Sequence, residues 1–208
     1  MTVILSGEHA GALRQALDVL TRGGLVAFPT DTVYGLGALI SHESLDVRAA
    51  IDQLYLVKER DPIKAIAVLI GRLSDLARVA SEMNPAASRL AAYFWPGALT
   101  LVVGRRPDLP PNLSQGATIG VRMPDHPLAL ELLRLSGPLA VTSANLSGRP
   151  SCVTAAEVFD QLGGRITLIL DGGVTPGGQS STVVDCTGRE PLILRSGPIS
   201  AEEIHSVL

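Results

Sequence analysis

Apolar residues follow two different patterns along this chain. In some segments they recur every three or four residues, as on one face of a helix, and in others they form short continuous runs typical of buried strands. The first pattern predicts helices at 13–20, 43–57, 84–94 and 127–135, and two more that begin at the capping boxes of Thr154 with Glu157 and Ser200 with Glu203. The second predicts strands at 25–28, 65–70, 99–103, 118–122, 139–142, 166–170, 182–185 and 192–195. We therefore expect an α/β protein whose sheet is mixed, since only a short turn joins the last two strands.

Polar residues are concentrated directly beside the ends of the predicted strands. Segments 29–37 and 142–151 each follow a strand and are rich in threonine, serine, asparagine and glycine, and segment 180–182 precedes a strand. Arg122 and Arg195 each end a strand. Ligands of open α/β sheets bind at such strand ends, although the same residue types also form ordinary turns. The recurrence of this pattern favours a ligand cleft.

The composition is that of a globular protein. Of 208 residues, 46% are apolar and 18% are charged, which argues against disorder and allows a single domain over 1–208 with its core at about 10–200. No apolar run reaches the ~18 residues of a membrane span, and no signal-peptide pattern is present. Two cysteines are too few for a disulfide framework or a zinc site, and the four histidines lack ligand spacing. We expect a cytoplasmic protein with no membrane association and no metal held by its own side chains.

The distribution of charge gives two further indications. The net charge is −3, whereas a protein built mainly to hold nucleic-acid phosphates is usually basic. Of the 17 basic residues only Lys58 and Lys64 are lysines, and they lie within seven residues of each other. Either this is chance, or a compact ammonium is needed there, because lysine and arginine are not interchangeable at a phosphate. The chain has no Walker A sequence, so an ATP site here would not be a P-loop.

Several segments together resemble the YrdC-like family, the threonylcarbamoyl-AMP synthases. They occur in the family's order over about residues 10–200. The matching stretches are 23–37, Lys58-Glu59-Arg60, Trp95-Pro96-Gly97, Leu99-Thr100, Val121-Arg122-Met123-Pro124, 143–148, Ser181-Thr182-Val183-Val184-Asp185 and 194–198.

The resemblance implies a fold and a reaction. The fold is a twisted mixed sheet with flanking helices, curved around a concave basic cavity. The reaction converts L-threonine, bicarbonate and ATP, with Mg²⁺ on the phosphates, to threonylcarbamoyl-adenylate and pyrophosphate. Partner proteins then transfer the threonylcarbamoyl group to certain tRNAs, so that tRNA is involved only indirectly. Longer members carry an additional C-terminal domain, and this chain resembles the short form.

The resemblance also implies which residues form the site. Because the substrates bring roughly five or six negative charges together, several cations must converge on one cavity. The candidates are Lys58 and Arg60, which would act in catalysis and hold the phosphates, Arg195 at the nucleotide, Arg122 at the threonine carboxylate, and Lys64 as a weaker fifth. The neutral groups are Ser143, Asn145 and Ser151 near the nucleotide, and Thr30, Thr32, Thr142 and Ser181 near threonine.

Two alternatives remain open on sequence. One is an RNA-binding module of the same fold without catalysis, which the net acidity and the low aromatic content of 3% disfavour. The other is an adenylylating enzyme with a different small substrate. That alternative stays open because Leu69 stands where some family members have a histidine that contacts the amino acid.

Overall fold

The computed structural model describes residues 1–208 as ten strands, six α-helices and two 3₁₀ segments. The strands are β1 Val3–Ser6, β2 Val26–Phe28, β3 Gly35–Leu39, β4 Ala67–Leu69, β5 Leu99–Gly104, β6 Thr118–Arg122, β7 Leu139–Ser143, β8 Leu168–Asp171, β9 Thr182–Asp185 and β10 Leu192–Arg195. The helices are α1 Ala12–Thr21, α2 Val47–Lys58, α3 Pro85–Phe94, α4 Pro127–Ser136, α5 Ala155–Leu162 and α6 Ala201–Val207. The 3₁₀ segments are Leu73–Arg78 and Pro111–Leu113. None of the helices has the length and apolarity that crossing a membrane requires.

All ten strands belong to one mixed sheet. Their order is β1-β8-β2-β3-β7-β4-β6-β5-β9-β10. The pairs β1/β8, β8/β2, β4/β6 and β5/β9 are parallel, and the remaining neighbours are antiparallel. The prediction of an α/β fold with a mixed sheet is therefore confirmed.

The two faces of the sheet are covered unequally. On one face, alternate strand residues such as Leu36, Val68 and Leu101 join a large apolar cluster with α2, α3, α5 and α6. On the other face, α1 and α4 pack over β8, β2, β3 and β7 and reach Leu69 at the end of β4, in a second and smaller cluster. The rest of that second face, on β4, β6, β5 and β9, supplies residues that line a cavity.

Local sequence signals explain most of the boundaries of the helices and strands. Two strands of the structure were absent from the prediction. Helix α2 begins at Val47 rather than near Glu43, because the Asp46 carboxylate accepts the N–H groups of Arg48 and Ala49 as the helix cap. Strands β1 and β3 were not predicted. Because β3 follows β2 directly and pairs with it, strands and helices do not alternate throughout the chain.

Candidate active site

A cavity of about 310 Å³ lies on the open part of the sheet. Its floor consists of alternate residues of neighbouring strands, which point to the same face. The floor residues are Ala67 and Leu69 of β4, Gly120 and Arg122 of β6, Thr100 and Val102 of β5, and Val183 of β9. Glycine and alanine at the centre leave room that larger side chains would fill. The wall includes the guanidinium groups of Arg60, Arg122 and Arg195 and contains no carboxylate.

Arg122 is buried at the end of β6 and makes three hydrogen bonds. Its Nε donates to the carbonyl oxygen of Gly97 at 2.9 Å, and its Nη1 donates to Oγ1 of Thr32 at 2.9 Å. Its Nη2 forms an ion pair with the carboxylate of Asp31. Burial lowers the pKa of Arg122 and Asp31 opposes this effect, so the guanidinium remains charged. The ion-pair partner is Asp31 and not Asp125, which is exposed.

Ser181 and Arg195 form the opposite side of the cavity. The Arg195 guanidinium donates through Nε and Nη2 to the Ser181 carbonyl at 3.0 and 2.8 Å, and Nη2 also lies 3.1 Å from Oγ of Ser181. That hydroxyl is 2.8 Å from Oγ1 of Thr100 on β5. The pairing of β5 with β9 therefore fixes both the serine hydroxyl and the arginine beside the cavity.

Arg60 reaches the cavity because helix α2 ends just before it. Glu59 has φ 53°, a left-handed conformation that ends the helix and redirects the chain. Arg60 then donates through Nη2 to the carbonyl of Ala65 at 2.9 Å, and its burial lowers its pKa. Lys64, the weaker fifth candidate, is exposed and is not part of the cavity wall.

Lys58 lies behind the cavity wall and is 1% exposed. Its ammonium donates to the carbonyl oxygens of Ser143 and Asn145, and its own carbonyl accepts the N–H of Ser147 at 2.9 Å. Burial, with a smaller contribution from Arg60, lowers the pKa of Lys58 to about 7. The last turn of α2 is thus fastened to the segment 143–147 that follows β7.

The nucleotide-side candidates are divided between the cavity and this segment. Ser143 lines the cavity, whereas Asn145 and Ser151 do not. The Asn145 side-chain nitrogen donates to the carbonyls of Leu146 and Arg149 at 2.8 and 2.9 Å, and its Oδ1 is buried without a partner. All five residues expected near threonine, Thr30, Thr32, Arg122, Thr142 and Ser181, line the cavity together.

Sequence reasoning missed three polar residues of this site. Asp31 pairs with Arg122, Thr100 contacts Ser181, and the hydroxyl of Tyr34 donates to the carbonyl of Gly173 at 2.7 Å. Burial raises the pKa of Tyr34 to about 12. Asp31 and Tyr34 lie in the polar segment 29–37, and their position there could have been used to predict that they belong to the site. Thr100 lies inside an apolar strand, and only the strand order reveals that it faces Ser181.

Segment 172–180 ends at the cavity residue Ser180, and its backbone at Gly177 lies close to Thr32. A Cβ built on Gly177 would lie 1.5 Å from the carbonyl oxygen of Thr32, so no side chain fits there. We expect Gly177→Ala to displace Thr32 and to weaken the binding of a ligand that Thr32 contacts by about tenfold or more, since small displacements at a binding site are costly.

Gly116→Ala is the matched control for this substitution. Its added Cβ would have only one neighbour, at 3.9 Å, and we expect no change in ligand binding or stability. Thermal unfolding of both variants, and their calorimetric titration with L-threonine as the ligand that the sequence resemblance implies, test the expectation. Unaltered binding in Gly177→Ala would show that Thr32 does not contact that ligand.

Comparison with known proteins gives consistent results. A family model described as "Telomere recombination", of the Sua5, YciO and YrdC proteins, matches residues 18–197. Bacillus subtilis threonylcarbamoyl-AMP synthase is 43% identical over 199 residues, which cover 94% of this chain and 56% of that protein. A Mycobacterium tuberculosis relative is 42% identical over 202 residues, which cover 97% of this chain and 91% of that protein.

A solved structure extends the likeness to three dimensions. The crystal structure of Pyrococcus abyssi Sua5 complexed with L-threonine superposes with a TM-score of 0.92 and 39% identity, over 100% of this chain and 61% of that one. The chain thus spans little more than half the length of the B. subtilis and P. abyssi proteins. The family match covers nearly the whole chain, and so this protein belongs to the Sua5/YciO/YrdC family.

Proposed function

We propose that this protein is a threonylcarbamoyl-AMP synthase, a nucleotidyltransferase that acts on L-threonine, bicarbonate and ATP. The observation that carries the proposal is the cavity, in which three guanidinium groups and several hydroxyls converge on a wall without carboxylates. Such a wall suits anionic substrates, because fixed cations offset the repulsion between them. Relatives named for this activity, and one with L-threonine bound, add support.

The chemical step joins two anions. The amine of threonine and bicarbonate form a carbamate and release water, and a carbamate oxygen then attacks the α-phosphorus of ATP. The bond from that phosphorus to the bridging oxygen breaks, and pyrophosphate leaves. Little covalent chemistry is required of the protein, so its contribution is to position the substrates and to neutralise their charge.

The cavity residues divide between the two substrates. Arg122 would hold the threonine carboxylate, with Thr32, Thr142 and Ser181 nearby, and Thr30 would support the loop that carries Thr32. Arg60 and Arg195 would hold phosphates, since one guanidinium can donate two parallel hydrogen bonds to one phosphate group. Lys58 would act through the segment that carries Ser143, Asn145 and Ser151, because its ammonium is bonded to that segment.

Mg²⁺ would enter as part of the nucleotide substrate. The chain has no group of three or more His, Cys, Asp or Glu side chains placed to hold a metal ion, and the side-chain oxygens of the cavity wall are hydroxyls. Phosphate oxygens and water are ligands that Mg²⁺ accepts readily, so the ion would need few ligands from this chain.

The remaining assignments follow from the reaction. The product would pass to proteins that transfer the threonylcarbamoyl group to tRNA, so the protein would work in the cytoplasm. The two buried thiols, Cys152 and Cys186, have pKa values raised to about 11 by burial and suit a reducing compartment.

The sheet supports the proposal of a single domain over 1–208, because all ten strands belong to it.

The proposal predicts that ATP binds without RNA. We expect calorimetry to detect MgATP binding that is weakened at least about tenfold in Arg60→Ala and in Arg195→Ala, because each loses a charge-assisted contact. Turnover, followed as pyrophosphate release with each amino acid in turn, should require bicarbonate and threonine. Lys64→Ala is the control, since that side chain is exposed and outside the cavity wall.

RNA-binding measurements test the alternative that the protein is an RNA-binding module. We expect RNA to bind weakly and with an affinity that falls steeply with salt, as for non-specific phosphate contacts. Salt-resistant RNA binding without ATP binding would favour an RNA-binding module. Pyrophosphate release with an amino acid other than threonine would instead favour a different adenylylating enzyme.

A further inference from the structure

Asp31 is a buried carboxylate next to the cavity that the proposed reaction does not use. Its side chain is 14% exposed and lies outside the cavity wall, where it pairs with Nη2 of Arg122. A carboxylate beside a subsite for a carboxylate-bearing substrate repels that substrate, so its presence there calls for another role. The hydrogen bonds around Arg122 indicate what that role is.

A guanidinium has five N–H groups, and three of those on Arg122 are already used. The Nε–H is donated to Gly97, one Nη1–H to Thr32, and one Nη2–H to Asp31. One N–H therefore remains on each terminal nitrogen. A carboxylate can accept one N–H from each terminal nitrogen as a two-point contact, so Asp31 does not have to leave when a substrate binds.

The position of Asp31 is itself fixed by its loop. The Thr30 hydroxyl accepts the N–H groups of Thr32 and Val33 at 3.2 and 3.3 Å and donates to the Val33 carbonyl at 2.7 Å. It also lies 3.0 Å from the Thr32 hydroxyl. These bonds fix the backbone on both sides of Asp31 and so restrict where its carboxylate can meet Arg122.

We propose that Asp31 is a positioning residue that holds the guanidinium of Arg122 in one orientation, with two free N–H groups available for the carboxylate of the amino-acid substrate. This inference rests on the proposed function for the identity of that substrate. Gly97, Thr32 and Asp31 surround the guanidinium on three sides, and Asp31 provides the charged member of the set. Without it, the side-chain torsions and the Nε–Cζ bond that orient the guanidinium are less restricted, and the two-point contact is formed less often.

The experiment compares Asp31→Ala with Asp31→Asn. The alanine variant removes the acceptor, whereas the asparagine variant keeps an oxygen in its place. We expect the threonine concentration for half-maximal turnover to rise about tenfold or more in Asp31→Ala, the loss typical of a hydrogen bond to a charged group, and about threefold or less in Asp31→Asn. The ATP requirement should change less than about twofold in both. Asp125→Asn removes an exposed carboxylate that lies just after β6, the strand of Arg122, and it is the matched control, for which we expect no change.

A second measurement does not depend on turnover. In the wild-type protein without substrate, arginine side-chain ¹⁵N NMR should show slow rotation of the Arg122 guanidinium, assigned with Arg122→Lys, and this slow rotation should be lost in Asp31→Ala and kept in Asp31→Asn. If wild-type protein releases no pyrophosphate with threonine, the proposed function fails while this measurement still tests the positioning.

Three outcomes would overturn the inference. A lower threonine requirement in Asp31→Ala would make Asp31 a competitor of the substrate. Equal changes in the threonine and ATP requirements would make it a purely structural residue. A guanidinium that rotates equally fast in wild type and in Asp31→Ala would show that Asp31 does not hold it.

Discussion

Lys58→Met is expected to lower pyrophosphate release by at least about a hundredfold and the free energy of unfolding by about 2–5 kcal/mol. Methionine keeps most of the buried stem but removes the donor for two buried carbonyls, of Ser143 and Asn145, and each unsatisfied group costs about 1–3 kcal/mol. The segment after β7 then loses its link to α2. Because a shift of about 1 Å at a reacting site costs about a hundredfold in rate, the loss of activity follows from the loss of position.

Lys64→Met is the control for this prediction, because it removes the chain's other lysine from an exposed site. We expect it to match wild type in denaturant unfolding and in turnover. Wild-type turnover in Lys58→Met would contradict the proposed role. Lost turnover with undiminished stability would indicate that the Lys58 ammonium contacts a substrate and does not act by holding the segment of Ser143 and Asn145.

The same lysine should give the stability of the protein a specific pH dependence. The folded-state pKa of Lys58 is about 7, below its ordinary value of 10.5, so between these two values the unfolded chain binds one more proton than the folded one. Stability therefore rises as the pH increases through this window. The rise should be absent in Lys58→Met.

Arg122→Ala is the second substitution with a large expected effect. Removing the guanidinium should weaken threonine binding by about 2–5 kcal/mol, or roughly thirtyfold and more, while the ATP requirement changes little. Separate titrations of threonine and ATP into the folded variant measure the two effects. Equal weakening of both ligands, or of neither, would mean that Arg122 does not hold the substrate carboxylate.

Arg122→Ala also leaves Asp31 buried without its partner, which should lower stability. The double variant Asp31→Asn with Arg122→Ala separates the two effects. It should recover part of the lost stability because no unpaired charge remains, and it should not recover threonine binding. Recovered threonine binding would assign the loss in the single variant to misfolding.

Much of the fold could be predicted because local signals agreed with it. Asn84 and Pro85 begin α3 where expected, with the Asn84 side chain accepting the N–H of Ala87 at 2.7 Å, and Ser200 and Glu203 form the predicted capping box. Strand β3 was missed because its sequence, Gly-Leu-Gly-Ala-Leu, has low strand propensity. It is a strand because β2 and β7 pair with it, and the sequence of β3 alone does not indicate this pairing.

The candidate site was also partly predictable, because part of it follows from the positions of the strand ends. Residues at strand ends, such as Thr32, Arg122 and Ser181, could be grouped because strand ends meet in a sheet. The burial of Lys58 could not be foreseen, because it depends on a carbonyl pair contributed by a segment 85 residues away. The pairing of Asp31 with Arg122 likewise joins residues 91 positions apart, and no local sequence pattern indicates it.

The sheet order has a consequence for how the protein is made. Strand β1 pairs only with β8, so Val3 has no strand partner until Leu168 has been synthesised. At about 5–20 residues per second, that delay is on the order of ten seconds or more, during which an apolar segment stays unpaired on the ribosome. Ser181 and Arg195 emerge later still. The nascent chain therefore cannot complete its cavity until translation has passed the tenth strand.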